Sequence, residues 1–182
     1  MFDEKEVIRE VLAGRADAFE AIVRENQAHV IGLCLSMLGD PTEAEDAAQE
    51  TFVKAFRSLR SFKMNSRLST WLYRIGANHC KDVLRGRQRR KTQSLEAMVE
   101  EQGEVVYKNF KSRPESKNAD IESLLSCLSE DERVILTLRE AQGLSYQEIA
   151  ETLDCTLDAV KARLRRARIA LQQKAGERKG MG

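Results

Sequence analysis

Residues Gly143 to Arg168, GLSYQEIAETLDCTLDAVKARLRRAR, favour one local arrangement, two short helices separated by a tight turn. Ser145 followed three places on by Glu148 is a capping box, in which each side chain satisfies a backbone amide left open at a helix start. The first helix therefore begins at Ser145, and Tyr146, Ile149, Ala150 and Leu153 give it one apolar face. Asp154-Cys155-Thr156 interrupts the pattern, with Thr156 placed to cap a second helix from Leu157. In that helix Leu157, Val160, Leu164, Ala167 and Leu171 form the inward stripe. Lys161, Arg163, Arg165, Arg166 and Arg168 form the outward one, opposed within the helix only by Asp158. Like charges at such spacing cost roughly a few tenths of a kcal/mol per pair, a penalty that an anionic partner reverses. The pattern fits a helix-turn-helix, whose second helix enters the major groove of DNA.

The rest of the chain is helical in period too, with no alternating strand-like run of useful length. Phe19, Ile22, Val23, Val30, Leu33, Cys34, Met37 and Leu38 fit core-facing helix stripes that end at Gly39. Asp40-Pro41 supplies a cap and a proline at the first helical position, with Glu43 completing a capping box for a helix to about Leu59. On it Ala48, Phe52, Ala55, Phe56 and Leu59 form the buried stripe, and Asp46, Gln49, Glu50 and Val53 share another face. After a loop from Arg60 to Leu68, Ser69 or Thr70 can cap a third helix running to about Arg85. From Lys91 to about Asn118 hydrophobic residues thin out, Glu96, Glu100, Glu101 and Glu104 accumulate, and Arg113-Pro114 breaks any helix. Helical spacing resumes with Ile121, Leu124, Leu125 and Leu128, and Ser129 with Glu132 forms another capping box. The expected architecture is all-α, two small helical domains at 1–91 and 119–175, a flexible acidic linker at 92–118 and a disordered tail at 176–182.

Charge decides what such a fold can meet. The formal net charge is only +1, so the basic helix is offset elsewhere. Arg85, Arg87, Arg89, Arg90 and Lys91 make a second basic run, and Glu43, Glu45, Asp46 and Glu50 an acidic one. Segregation of this kind implies one anionic partner and one that accepts an acidic surface. Cys34, Cys80, Cys127 and Cys155 are scattered without a CxxC pair or a nearby histidine, which points to reduced, mostly buried small hydrophobes and no metal site. His29 and His79 lack an evident catalytic partner, and no glycine-rich phosphate loop occurs. Neither a catalytic site nor a cofactor is expected, and no small-molecule substrate. The first residues, MFDEKEVIRE, do not form a signal peptide, and no apolar run approaches the roughly 18 residues that span a bilayer, so a cytoplasmic protein without membrane insertion is expected.

Three separated motifs resemble one family, the extracytoplasmic-function sigma factors of bacterial RNA polymerase. The first is Asp46-Ala-Ala-Gln49-Glu50-Thr-Phe52, preceded by Gly39-Asp40. The second runs from Phe62-Lys-Met-Asn-Ser66 through Trp71-Leu72-Tyr73-Arg74 and Asn78 to Asp82, Arg85 and the basic cluster. The third is the helix-turn-helix. The resemblance implies a region 2 domain at 1–91 and a region 4 domain at 119–175. It implies that Asp46, Gln49, Glu50 and Val53 dock on the clamp helices of the polymerase's largest subunit, and that the flap is a further contact. Phe62, Lys63, Asn65, Ser66, Arg67, Trp71, Arg74, Asn78, Lys81 and Arg85 would then meet the minus-10 element, where a flipped base needs a receptive pocket. By helical position Trp71 is open to a core role as well. Lys161, Ala162, Arg163, Arg165, Arg166 and Arg168 would meet the minus-35 element, with Lys161, Arg165 and Arg166 at base edges and Arg163 and Arg168 at phosphates. Asp158, Ala159 and Ala162 depart from the commonest family pattern, which bears on the bases read. The resemblance also implies an anti-sigma partner and a linker that threads the polymerase cleft, although a plain tether fits the residues equally. The function implied is promoter recognition as a polymerase subunit. The alternative is a helix-turn-helix regulator that binds duplex operator DNA without polymerase, which has no need of the second motif.

Overall fold

The computed structural model of the chain describes residues 3–99 and 127–179, and among these every regular element is helical. Helix α1, Glu4–Leu12, is capped by Asp3, whose carboxylate accepts from the Lys5 and Glu6 amides. A short 3-10 turn leads into α2, Phe19–Leu38, which ends where Gly39 takes the left-handed conformation (φ 74°), a backbone state that costs glycine little. Helix α3, Pro41–Ser58, starts as the sequence predicts, with the Glu43 amide donating to Asp40 Oδ1 at 2.9 Å. Glu43 does not complete the expected capping box; its carboxylate pairs with Arg87.

Helix α4, Leu68–Val99, departs from expectation at both ends. It begins at Leu68, whose amide donates to Glu4 Oε1 at 3.3 Å. The cap thus comes from α1, 64 residues away, which leaves the Thr70 hydroxyl for another partner. The helix also passes Arg85 and takes in the start of the expected linker; the remainder of the linker, with Glu100, Glu101 and Glu104, lies outside the described residues, as do Ile121, Leu124 and Leu125, expected to open the second domain. Helix α5, Glu130–Leu136, opens on the predicted Ser129–Glu132 capping box and runs into one π-helical turn, Thr137–Ala141. Helices α6, Tyr146–Leu153, and α7, Leu157–Lys179, complete the chain. Part of the expected disordered tail, 176–179, is therefore the last turn of α7.

Packing explains the order. Helices α2, α3 and α4 form a bundle around Ile22, Leu33, Ala47, Ala55, Leu59 and Leu72, all buried. The α3–α4 crossing is close because Gly76 has no side chain: a Cβ there would lie 3.3 Å from Thr51 Oγ1, a hydroxyl already fixed by its bond to the Ala47 carbonyl. In the second unit Ile135, Leu138, Ile149, Val160 and Leu164 are buried between α5, α6 and α7. The two cores join into one continuous buried cluster, so the units are docked on each other.

Candidate nucleic-acid interface

The helix-turn-helix is built as its sequence specifies. The Glu148 amide donates to Ser145 Oγ at 3.2 Å and the Ser145 amide to Glu148 Oε2 at 2.8 Å. That backbone hydrogen bond from Ser145 holds the Glu148 carboxyl below its ordinary range, against the opposing effect of burial. Helix α6 ends with Asp154 in the left-handed region (φ 53°), which Asp and Asn enter more readily than most residues. Thr156 then caps α7, its Oγ1 accepting from the Ala159 amide at 3.2 Å. Val160, Leu164 and Ala167 face inward as expected, whereas Leu157 is 37% exposed and Leu171 only half-buried. The inward stripe begins one turn late because Leu157 lies at the turn itself.

On the outer face Lys161, Ala162, Arg165, Arg166 and Arg168 are exposed, and Arg163 is partly buried. Asp158 pairs with Lys161 at 3.3 Å. Folding also adds three acids that the helix alone does not show. Arg163 pairs with Asp131 (3.2 Å), Arg166 with Glu132 (3.5 Å) and Arg168 with Glu140 (3.0 Å), all from α5 and the turn after it. The Glu132 carboxyl is held below its ordinary range, chiefly by the Ser129 amide. Pairs of this kind, each with at least one well-exposed partner, contribute about 0–1 kcal/mol each, little enough for phosphate to displace them. Arg165 makes no hydrogen bond or ion pair among the described residues, and it is the arginine whose planar fork is free for a guanine edge.

The second cationic surface is the 62–67 loop with α4. Lys63, Asn65 and Arg67 are exposed and Ser66 and Phe62 half-buried. Met64, at the loop's centre, holds a positive φ of 55°, an uncommon state for a non-glycine residue that clusters at functional sites. On α4 Arg74, Asn78 and Arg85 are exposed, four and then seven residues apart, and share a face; Arg85 pairs with Asp82 at 3.2 Å. Trp71 does not join them. It is 7% exposed, with its ring 5.1 Å from that of Phe62, because it follows Leu68 on the side of α4 that meets the bundle. Its place is beneath the loop, as a core anchor. Lys81 also turns elsewhere: its Nζ donates to the Leu153 carbonyl at 2.7 Å, at the end of α6. Sequence reasoning missed two neighbours of this face, Thr70 and Tyr73. Both are buried against the second unit, donating to Glu148 Oε1 (3.1 Å) and Gln142 Oε1 (3.0 Å). Burial pushes the Tyr73 phenol up to about 12. The signal available was the period: Thr70, Tyr73, Ala77 and Lys81 form a stripe, but nothing local names its partner.

The acidic surface is on α3. Asp46, Gln49, Glu50 and Val53 are all exposed, and Ala44, Ala47, Ala48, Thr51, Phe52 and Ala55 face inward. Phe56, expected in the buried stripe, is 40% exposed and meets Phe19 edge-on at 5.2 Å. It extends the face by one further helical step, from Val53, and gives it an apolar end. Lys54 donates to His79 Nδ1 at 2.8 Å; burial and the Lys54 charge lower the imidazole's pKa. Of the cysteines, Cys34 and Cys80 are buried, Cys155 is intermediate and Cys127 exposed. Among the described residues no three His, Cys, Asp or Glu side chains are placed to hold a metal ion, and no helix is long and apolar enough to cross a membrane.

Against known proteins, the family model for Sigma-70 region 2 matches residues 22–90 and that for Sigma-70 region 4 matches residues 118–171. The chain is 35% identical over 179 residues to the RNA polymerase sigma-H factor of Pseudomonas aeruginosa, covering 93% of this chain and 92% of that one. It is 35% identical over 178 residues to the ECF RNA polymerase sigma-E factor of Escherichia coli K12, covering 92% of each. Among solved structures it resembles the sigma factor RpoE in complex with the anti-sigma factor NepR from Bartonella quintana, with a TM-score of 0.65, 25% identity and coverage of 87% of this chain and 96% of that one. The fold is also shared with CnrH in complex with the cytosolic domain of CnrY, at a TM-score of 0.67 and 24% identity over 96% of this chain and 97% of that one.

Proposed function

The chain belongs to the extracytoplasmic-function group of the sigma-70 family, the sigma factors that bind core RNA polymerase and direct promoter-specific initiation, and from that premise we propose how its surfaces divide the work. The observation that carries the division is the segregation of charge in the folded chain, an acidic face on α3 apart from cationic faces on α4 and α7.

Residues 1–91 act as the core-binding and minus-10 unit. Asp46, Gln49, Glu50 and Val53, extended by Phe56, dock on the clamp helices of the largest polymerase subunit. The loop from Phe62 to Arg67 receives an unstacked base, and Arg74, Asn78 and Arg85 follow the strand. Unstacking costs about a few kcal/mol, which the polymerase complex offsets through contacts made only by opened DNA. Asn78 suits this role because its amide both donates to and accepts from a base edge. Residues 119–175 act as the minus-35 unit, with a further contact to the flap. Lys161, Ala162 and Arg165 face the bases, Ala162 offering an apolar contact to a thymine methyl, while Arg163 and Arg168 exchange their acidic partners for phosphates, joined by Arg166, which its pair with Glu132 moves out of the expected base-edge set. Neither unit needs high affinity alone, since tethering through the polymerase raises the effective concentration of the other.

The likeness to a sigma factor solved with its anti-sigma factor supports an anti-sigma partner here, and with it a stress or envelope regulon and a cytoplasmic location. The chain carries no chemistry of its own in this reading. A conventional operator-binding regulator is not favoured, because the region 2 match accounts for residues 22–90. Run-off transcription from a genomic promoter library with reconstituted holoenzyme tests the reading. Promoter-directed transcripts that depend on added chain support it; holoenzyme that transcribes no more selectively than core alone refutes it.

A further inference from the structure

Glu4, Val7, Ile8 and Val11 recur at three- and four-residue steps and share one face of α1. Ile8 is buried, Val7 and Val11 pack against the edge of the core, and Glu4 on the same face is half-buried. The apolar residues thus carry the carboxylate inward, to where its Oε1 accepts from the Leu68 amide at 3.3 Å. That amide ends the 62–67 loop and opens α4. At the loop's other end α1 packs on the 3-10 turn Leu59–Ser61, whose Leu59 is buried. One helix therefore holds both ends of the loop, and it lies outside residues 22–90, the span matched to Sigma-70 region 2.

Between those ends the loop has little to fix it. Among the described residues no side chain from Lys63 to Arg67 makes a hydrogen bond or ion pair. Lys63, Met64, Asn65 and Arg67 are exposed, and Met64 is held at φ 55°, a state that persists only where the surroundings impose it. The constraint comes from the turn under α1 and from Leu68 on Glu4. An α-helix leaves its first amides without intrahelical partners, and Glu4 supplies one of the missing acceptors for α4. With Leu68 capped from α1, the Thr70 hydroxyl is not needed there and donates across the seam between the two units, to Glu148 Oε1 at 3.1 Å.

We propose, on the promoter-recognition reading above, that Glu4 is a positioning residue for the minus-10 element: its cap on Leu68 holds the end of the 62–67 loop against α1 and thereby sets how selectively the loop accepts an unstacked base. Glu4 itself touches no DNA and acts through Leu68. A loop ordered in advance loses less conformational entropy when the base enters. A loop whose ends are fixed also admits one base shape better than a loop free to adjust to several. Releasing the Leu68 amide to water lets the first turn of α4 fray, and the loop loosens at that end alone.

The test uses holoenzyme reconstituted from the full chain and a promoter recovered by run-off from the genomic library. 2-Aminopurine placed in turn at each minus-10 position brightens where the base unstacks, which identifies the accepted position. Run-off rates are then compared for the four bases at that position. In Glu4→Ala the preference for the best base over the next should shrink at least about threefold, while core polymerase affinity stays within about twofold of wild type. Glu4→Gln, whose amide oxygen still accepts from Leu68, should keep the wild-type preference. A purely structural role lowers the rates for all four bases by one factor, so an unchanged preference in Glu4→Ala overturns the proposal. A Glu4→Gln chain that is folded and as unselective as Glu4→Ala overturns it too. If Glu4→Ala does not fold, Glu4→Asp, one methylene shorter with the charge kept, takes its place with the same expectation. Wild type that directs no promoter-specific transcripts refutes the promoter-recognition reading instead. Amide hydrogen exchange at Leu68 then decides the cap: protection is expected in wild type and Glu4→Gln and its loss in Glu4→Ala, and equal exchange in all three overturns it.

Discussion

Replacing Trp71 separates a core role from a DNA-stacking role. The indole is 7% exposed, lies 5.1 Å from the Phe62 ring and is the sole tryptophan of the chain. Trp71→Ala removes a buried aromatic side chain, a change that costs about 3–5 kcal/mol from lost transfer energy and the cavity left behind; the pairing with Phe62 accounts for about 0.5–1.5 kcal/mol of this. At about 2–4 °C per kcal/mol for a chain of this size, the low end of that range lowers the melting temperature by about 6–12 °C. Against a total stability of about 5–15 kcal/mol, the loss is a large fraction of the whole. Trp71→Phe keeps most of the packing and should cost about 1–2 kcal/mol while preserving promoter opening. Circular dichroism melts measure the first quantity and permanganate reactivity of the opened promoter the second. The native fluorescence adds an independent readout: emission should be blue-shifted and little changed by single-stranded minus-10 DNA. A Trp71→Ala variant that melts within about 3 °C of wild type yet cannot open promoters, with wild-type emission quenched by that DNA, refutes the core assignment.

Asp46→Lys with Glu50→Lys should weaken core polymerase binding at least about tenfold, because both carboxylates are solvated and their reversal opposes a complementary surface; unaltered affinity in a labelled-core titration removes α3 from the interface. Arg165→Ala should cost about 1–3 kcal/mol of discrimination at one minus-35 position, while Arg163→Ala, which removes the partner of Asp131, should weaken binding about equally across sequences; competition with single-base promoter variants tells them apart. Ser145→Ala should destabilise the second unit by about 1 kcal/mol through loss of the cap, read from denaturant midpoints. The pH dependence has a definite sign. The Glu132 and Glu148 carboxyls are lowered in the folded chain, so their contribution is complete above the unfolded carboxylate value of about 4.3 and is lost as pH falls through the folded values. Melts from neutral pH to about pH 3 should therefore show acid destabilisation that Glu148→Gln flattens; an identical slope in that variant refutes the assignment.

The parts of the fold that were legible in the sequence are those set by residues three or four apart. Ser145 with Glu148, Ser129 with Glu132, and Asp40 with Pro41 each place a helix start correctly because the cap and its amide are close in the chain. The start of α4 was misplaced because its cap is Glu4, and no window of sequence brings residues 4 and 68 together. The same distance problem hid the acidic partners of Arg163, Arg166 and Arg168, which looked unopposed on a helix considered alone. Phe56, expected inside, is exposed, and Trp71, left open between core and DNA, is buried, for a related reason. Period tells which residues share a face, while the neighbouring helix decides which face is covered. The seam was illegible altogether, since the stripe of Thr70, Tyr73 and Lys81 gains meaning only opposite Gln142, Glu148 and Leu153.

The unbroken course of α4 has a mechanical consequence. Thirty-two residues of helix from Leu68 to Val99, at about 1.5 Å each, make a rod of about 48 Å, more than the width of the unit it crosses. One end adjoins the 62–67 loop and the other is where the chain leaves the described first unit. Among the described residues no proline or turn breaks the rod, so a pull applied at its far end is carried to the loop as leverage. In the proposed reading, a load on the C-terminal end of the rod would tilt the surface assigned to the unstacked base.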